Sequence, residues 1–114
     1  MKIIVCGGRD YQNRELVFAT MDRVHKHKAI TMVIEGGATG ADRLAREWAL
    51  DRCVDVATVH ANWKKYNGYA GHKRNGAMLK LSPDGVVAFP GGKGTANMIE
   101  QANGSGIKVM EVSG

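Results

Sequence analysis

Three glycine-rich turns constrain the fold of this chain more than any other feature. They cover residues 6–10 (CGGRD), 35–42 (EGGATGAD) and 90–97 (PGGKGTAN), and each follows an apolar run and precedes a helical pattern. A helix that begins at such a turn has free backbone N–H groups and the positive end of its dipole there, which together attract anions. Three such units in 114 residues predict that several helix N-termini meet at one surface, with a pocket for a phosphorylated ligand.

Strand patterns and helix patterns alternate along the whole chain. The predicted strands are 3–6, 31–35, 54–60, 85–89 and 107–112, and the predicted helices are 13–28, 40–51, 71–81 and 95–103. This alternation is typical of an α/β fold with a mostly parallel sheet of about five strands flanked by helices. Right-handed crossovers then bring all three glycine turns to the C-terminal edge of that sheet, where α/β proteins bind ligands. We expect residues 1–114 to form a single domain.

Composition excludes several classes of protein. No apolar run approaches the roughly 18 residues that span a bilayer, and residues 1–5 form a strand pattern that lacks the features of a signal peptide. We therefore expect a cytoplasmic protein that makes no membrane contact. Cys6 and Cys53 provide no disulfide framework, and both are predicted to be buried, inert thiols. The four histidines form no metal-binding pattern, so neither a metal nor a cofactor is predicted.

The net charge of +5 suits either a small anionic ligand or nucleic acid. The basic residues are spread along the chain, and the densest group, residues 23–28, ends the first predicted helix. Cations at a helix C-terminus complement the dipole, so this group is explained without a partner. Nucleic-acid binding therefore stands as an alternative to a small phosphorylated ligand.

Residues 60–76 (HANWKKYNGYAGHKRNG) interrupt the alternation with a segment rich in aromatic and basic side chains. The segment follows the third predicted strand and so starts at the same edge as the glycine turns. Long connections of this kind often carry function. Trp63 offers a stacking face for a base and Arg74 a partner for phosphate. The alternative is an aromatic lid that only covers the sheet.

Four motifs, in this order, carry a resemblance to a known family: GGRDY, EGGATGADRLAREWA, ANWKKY…AGHKRNGAML and PDGVVAFPGGKGTANMI. Together they resemble the YspA-type, cpYpsA-related branch of the SLOG superfamily, which is distantly similar to the lonely-guy phosphoribohydrolases. The resemblance implies a Rossmann-like three-layer domain that binds a nucleotide or a nucleotide-derived ligand. It also implies a bacterial or phage origin and a homo-oligomer, most simply a dimer.

The phosphoribohydrolases carry PGGxGTxxE, in which the glutamate is catalytic, and an Arg-Lys pair upstream. Here the glutamate position is Met98, while Arg74 matches the arginine and Asn75 replaces the lysine. The resemblance therefore implies a phosphate site without the carboxylate that stabilises an oxocarbenium-like transition state. Hydrolysis would need a displaced carboxylate, for which the candidates are Glu35 and Asp42, with Arg74 as the third catalytic candidate.

We interpret the chain first as a nucleotide-binding module that senses or sequesters its ligand. The alternatives are a phosphoribohydrolase or N-glycosidase acting on a nucleoside monophosphate, and a nucleic-acid-binding domain. Glu35 is expected to contact a ribose hydroxyl, whereas Asp42 could instead only favour a helix dipole. The predicted ligand-binding residues are Gly7, Gly8, Arg9, Glu35, Gly36, Gly37, Thr39, Gly40, Asp42, Trp63, Arg74, Asn75, Pro90, Gly91, Gly92, Lys93, Gly94 and Thr95.

Overall fold

Five parallel strands form one sheet in the computed structural model, which describes all 114 residues. The strands are β1 (Lys2–Cys6), β2 (Met32–Glu35), β3 (Asp55–Thr58), β4 (Gly85–Ala88) and β5 (Val109–Glu111). Their order across the sheet is β3-β2-β1-β4-β5. In the register of the central strand, Ile4 lies between Ile34 of β2 and Val86 of β4.

Helices cover both faces of this sheet. They are α1 (Arg14–His27), α2 (Ala41–Asp51), α3 (Trp63–Tyr66), α4 (Ala70–Leu79) and α5 (Lys93–Gly104), with a short 3-10 turn at Asn67–Tyr69 between α3 and α4. Alternate side chains of β1 point to opposite faces, as the strand period requires. Val5 belongs to the core under α1 and α2, and Cys6 to the core under α4 and α5. The predicted parallel α/β architecture is thus confirmed.

The apolar stripe that predicted α2 is the stripe that the fold buries. Ala41, Ala45, Trp48 and Ala49 are inaccessible to solvent, and the indole N–H of Trp48 donates to Asp22 of α1 at 2.8 Å. Because a buried indole needs a hydrogen-bond acceptor, Asp22 and Trp48 fix how α1 packs on α2. Trp48 is therefore a core residue, as the spacing predicted.

The direction of the chain across the sheet reverses between β1 and β4. From β1 the chain proceeds outward to β2 and β3, then returns through α4 to β4 on the other side of β1. The turns after β1 and β4 therefore lead to helices on opposite faces, which leaves a crevice between them. The backbone joins the three glycine turns there, because Gly8 donates to Pro90 at 2.8 Å and accepts from Ala41 at 3.1 Å.

Three sequence-based expectations need correction. The third strand ends at Thr58 rather than at residue 60. Residues 60–76 are not a plain loop, since α3, the 3-10 turn and the start of α4 occupy most of the segment. Cys53 is exposed rather than buried, because it lies in the turn after α2 with a φ of 57°, before β3 begins. No helix combines the length and apolar character that membrane crossing requires.

We predict that Gly40 is needed for steric reasons beyond its positive φ of 71°. A Cβ atom there would lie 2.1 Å from the carbonyl oxygen of Gly8, so the turns after β1 and β2 would have to separate. Gly40→Ala should lower the free energy of unfolding by roughly 2–5 kcal/mol, the sum of a left-handed conformation and an overpacked contact. Urea denaturation of the purified variant measures this loss.

Gly106→Ala is the matched control. Gly106 has a φ of 73°, but no atom lies within 4 Å of the position that its Cβ would take. This variant should lose only about 1–2 kcal/mol, the cost of the left-handed conformation. Equal losses in the two variants would contradict the close contact between the turns.

Candidate functional site

A cavity of about 480 Å³ opens at the C-terminal edge of the sheet, in the crevice between β1 and β4. Ligand sites of small molecules are typically ~300–1,000 Å³. Four segments of the chain line it: the end of β1 and its turn, the turn into α2, the segment from α3 to α4, and the start of α5. The lining residues are Val5, Cys6, Gly7, Gly8, Arg9, Gly36, Ala38, Asp42, Trp63, Gly68, Gly71, His72, Arg74, Asn75, Met78, Gly92, Lys93, Gly94 and Thr95.

The N-terminus of α5 forms one wall of this cavity. The first intrahelical bond of α5 runs from the N–H of Ala96 to the carbonyl of Gly92 at 3.0 Å. The N–H groups of Lys93, Gly94 and Thr95 precede this bond and have no acceptor in the protein. No side chain caps the helix. These donors and the dipole of a 12-residue helix are therefore available to an anion.

Arg74 extends from α4 into the same cavity. Its Nη1 donates to the carbonyl oxygen of Gly36 at 2.9 Å, and its Nε donates to Oδ1 of Asn75 at 3.1 Å. The guanidinium is half-buried yet forms no ion pair, since none of the salt bridges in the structure includes it. Asp42 is near enough to interact with this charge, but no carboxylate bonds the guanidinium directly, so an anion in the cavity can still do so.

Asn75 holds Arg74 in position. Its amide nitrogen donates to the carbonyl of Gly94 at 3.2 Å and to Oδ1 of Asn97 at 3.0 Å, while its oxygen accepts from Arg74. Both hydrogens and the oxygen of the amide are thus used within the protein. Asn75 therefore orients the guanidinium and ties α4 to the start of α5, although it also lines the cavity.

Asp42 is the one carboxylate that lines the cavity. Its Oδ2 accepts the N–H groups of Gly36 and Ala38, both at 3.2 Å. Burial raises the pKa of this carboxyl above its ordinary value, and the nearby Glu35 acts in the same direction, while the bond from Ala38 and the charge of Arg74 oppose them. The fold thus keeps an acidic group beside the cavity at a cost in stability.

Cys6 lies at the end of β1 and also lines the cavity. Burial, reinforced by the charge of Asp42, raises the pKa of its thiol to about 12. The side chain therefore stays a neutral thiol at physiological pH, and a thiolate nucleophile is not available here. This agrees with the buried, inert Cys6 that the sequence predicted.

Glu35 has a structural task that its sequence position did not reveal. The side chain is inaccessible to solvent, and it accepts the N–H of Gly37 at 2.7 Å and Nη1 of Arg46 at 3.0 Å. The hydroxyl of Thr58, its partner in the β2–β3 register, donates to the other carboxylate oxygen. Both oxygens are occupied and Glu35 does not line the cavity, so the expected ribose contact is corrected to a structural role.

Arg9 and Trp63 form the rim. The guanidinium of Arg9 lies over the indole of Trp63, 5.9 Å from the ring centroid, and the indole is 50% exposed. Like Arg74, Arg9 has no carboxylate partner. Both residues also line a second cavity of about 360 Å³, which adjoins the first and shares Arg74 with it. An aromatic face and two arginines without direct ion pairs thus border one continuous concave surface.

The structure brings most of the sequence-predicted residues to these cavities. Gly37 and Thr39 line only the second one. Glu35, Gly40, Pro90 and Gly91 line neither. A Cβ at Gly40 or Gly91 would meet the backbone of Gly8, and Pro90 accepts the N–H of Gly8, so these three join turns instead of facing the cavity.

Sequence reasoning missed several lining residues, among them Cys6, Gly71, His72 and Met78. A signal for two of them was present. One helix face carries residues at the i, i+3, i+4, i+7 spacing, namely Gly71, Arg74, Asn75 and Met78. Once Arg74 was expected at the cavity, Gly71 and Met78 could have been expected there too. No comparable signal pointed to His72, which lies on a different face of α4.

Comparisons with known proteins agree with the motifs. The model of the YspA, cpYpsA-related SLOG family matches residues 1–66. The Gene 61 protein of Mycobacterium phage D29 is 31% identical over 117 residues, which covers 96% of this chain and 94% of that protein. No solved structure matches the chain. The matched family segment contains Asp42 and Trp63, while Arg74 and the start of α5 lie beyond it.

We predict that Asp42→Asn stabilises the protein more at neutral pH than in acid. The raised pKa means that the folded protein holds this proton more tightly than the unfolded chain. Stability is therefore lost as the pH rises from the ordinary carboxyl value towards the folded pKa. Asparagine keeps an oxygen for the N–H groups of Gly36 and Ala38 without the buried charge.

Urea unfolding of the wild type and Asp42→Asn, at about pH 3 and about pH 7, tests this sign. The stability of the variant relative to the wild type should increase with pH. Asp55→Asn removes one negative charge from an exposed position on β3 and is the matched control for net charge. A parallel trend in both variants would contradict a specific cost at Asp42.

Proposed function

Because the chain belongs to the YspA, cpYpsA-related SLOG family, we propose that it binds a nucleotide or a nucleotide-derived phosphorylated ligand, as a sensor or a sequestering module. The binding site is the cavity between β1 and β4. One observation carries the proposal: the guanidinium of Arg74, which forms no direct ion pair, and the free N–H groups that begin α5 line the same cavity.

The phosphate binds at the start of α5 in this proposal. The N–H groups of Lys93, Gly94 and Thr95 donate to its oxygens, and Arg74 supplies a charge-assisted contact from α4. Such contacts contribute roughly 1.5–3 kcal/mol each. The exposed Lys93, which forms no ion pair, adds positive charge. A phosphate can bind all of these groups at once, whereas a neutral ligand would offer no charged partner to Arg74 or Lys93.

The nucleoside extends from the phosphate towards the rim. The half-exposed indole of Trp63 offers a stacking face for the base. Stacking on an aromatic side chain contributes about 1–3 kcal/mol per base to binding. Asp42 is the acceptor for a ribose hydroxyl, because its Oδ1 has no partner in the protein while Oδ2 holds the turn into α2. This role explains why a carboxylate with a raised pKa is kept beside the cavity.

Asp42 also supports a second candidate function, the hydrolysis of a nucleoside monophosphate. It is the only carboxylate at the cavity, whereas the position of the hydrolase glutamate is Met98, which is fully buried in the core under α4 and α5. The backbone at Met98 cannot present a carboxylate to the cavity without repacking that core. A lone carboxylate has to both stabilise the sugar cation and assist the leaving base, so we place binding before hydrolysis.

Gly92→Val tests the phosphate site. No atom lies within 4 Å of a Cβ at Gly92, so there is room for the valine side chain, and circular dichroism checks that the variant is folded. The isopropyl group would then occupy space beside the free N–H groups. Its affinity for the nucleoside 5′-monophosphate that the wild type binds best should fall at least about tenfold, or 1.4 kcal/mol.

Isothermal titration calorimetry with a panel of 5′-monophosphates provides this measurement. Gly104→Val is the matched control, because Gly104 ends α5 on the far side from the cavity and its Cβ would also meet no atom within 4 Å. Unchanged affinity in a folded Gly92→Val protein would remove the start of α5 from the site. A wild-type protein that binds no member of the panel would contradict nucleotide monophosphate binding itself.

Incubation with nucleoside 5′-monophosphates should release no free base. The physical reason is the buried Met98 at the position of the hydrolase glutamate. Chromatographic detection of adenine, guanine and cytosine checks this outcome. A turnover near the enzyme median of about 10 per second, lost in Asp42→Asn but kept in Asp55→Asn, would favour the hydrolase over the binding module.

A further inference from the structure

The second cavity has its own cationic lining. Its volume of about 360 Å³ is separate from the start of α5, since none of Gly92, Lys93, Gly94 and Thr95 lines it. Five residues line both cavities and form the boundary between them: Arg9, Gly36, Ala38, Trp63 and Arg74. The remaining wall includes Thr39 and His60. The two spaces are thus neighbouring compartments of one concave surface.

No carboxylate lines this second cavity. Its charged groups are the guanidiniums of Arg9 and Arg74, neither of which forms an ion pair. Arg74 uses Nε and Nη1 within the protein, which leaves Nη2 without a protein acceptor. Asp42 is close enough to interact with the charge of Arg74, but it does not line this cavity. The lining itself therefore carries positive charge, and this favours a second anion.

His60 lies against the turn after β2. A Cβ at Gly37 would come within 2.6 Å of the imidazole, so the ring occupies space that only a glycine leaves free. The hydroxyl of Thr39 donates to the carbonyl of Arg9 at 2.9 Å and ties this turn to the turn after β1. His60 and Arg9 both line the second cavity, so their side chains can both donate to an anion bound there.

We propose that the second cavity binds a second phosphate, carried on the 3′ oxygen of the nucleotide whose 5′-phosphate lies at the start of α5. This inference rests on the proposed function and deepens it. A pyrophosphate keeps its two phosphorus atoms adjacent, so both would stay beside α5. A 3′-phosphate is separated from the 5′-phosphate by the ribose and reaches the far side of Arg74.

Two sources share this chemistry. A free nucleoside 3′,5′-bisphosphate carries a phosphate on its 3′ oxygen, and so does the first nucleotide of a strand that begins with a 5′-phosphate. In both, Arg74 contacts the two phosphates from between them, while His60 and Arg9 contact only the second. The ligand class is therefore a nucleotide with phosphate at both the 5′ and the 3′ positions.

Calorimetry with defined probes tests this assignment. The probes are adenosine 5′-monophosphate, adenosine 5′-diphosphate, adenosine 3′,5′-bisphosphate and the dinucleotide pApA, with the guanosine series in parallel. The bisphosphate should bind about 10- to 150-fold more tightly than the monophosphate, the range for one charge-assisted contact. The diphosphate should not show this gain. A gain for pApA identifies a strand end as a source, and a gain for the bisphosphate alone identifies the free nucleotide.

His60→Asn should remove most of the gain while the affinity for the monophosphate stays unchanged. His27→Asn, at the exposed end of α1, is the matched control and should change neither affinity. Three results would each overturn the second site while the proposed function stands. They are equal affinities for the mono- and bisphosphate, an equal gain for the diphosphate, and equal weakening of both ligands by His60→Asn. Absence of binding by every probe would overturn both proposals.

Discussion

The close approach of three backbone turns at Gly8 is the constraint on which the rest of this structure depends. The N–H of Gly8 binds the carbonyl of Pro90, and its carbonyl accepts the N–H of Ala41 at the start of α2. A Cβ at Gly40 would lie 2.1 Å from the oxygen of Gly8, and one at Gly91 would lie 2.7 Å from its nitrogen. Glycine is therefore required at positions 40 and 91 for the turns to touch Gly8. The cavity exists because this contact brings the starts of α2 and α5 beside one another.

Charge is distributed unevenly around that contact. Below the turn after β2, the buried Glu35 is neutralised by Arg46 and held by two further donors. At the cavity, Arg9, Arg74 and Lys93 have no carboxylate partner, and the single carboxylate, Asp42, has a raised pKa. The exposed Arg9 and Lys93 and the half-buried Arg74 therefore give this concave surface a positive potential, which supports the proposed anionic ligand.

The family match and the site overlap only in part. The matched segment, residues 1–66, supplies β1, β2 and the turns that present Arg9 and Asp42. The second half of the chain supplies Arg74, Asn75 and the start of α5, where the phosphate binds in our proposal. The phage relative spans both halves. Arg74 links them physically, since its Nη1 donates to the carbonyl of Gly36 in the matched segment and its Nε donates to Asn75 in the second half.

The amino-acid sequence by itself determined the alternation of strands and helices, the parallel sheet and the edge at which the glycine turns meet, because periodicity and turn chemistry are local properties. It also predicted that Arg74 and the start of α5 lie at this edge, and both line the cavity there. Only the tertiary structure decided the role of each carboxylate. Glu35 and Asp42 flank the same glycine turn. The register with β3 places Thr58 opposite Glu35, and Arg46, eleven residues further along the chain, donates to its carboxylate. Asp42 instead remains beside the cavity. Such roles depend on partners distant in sequence, which local patterns do not encode.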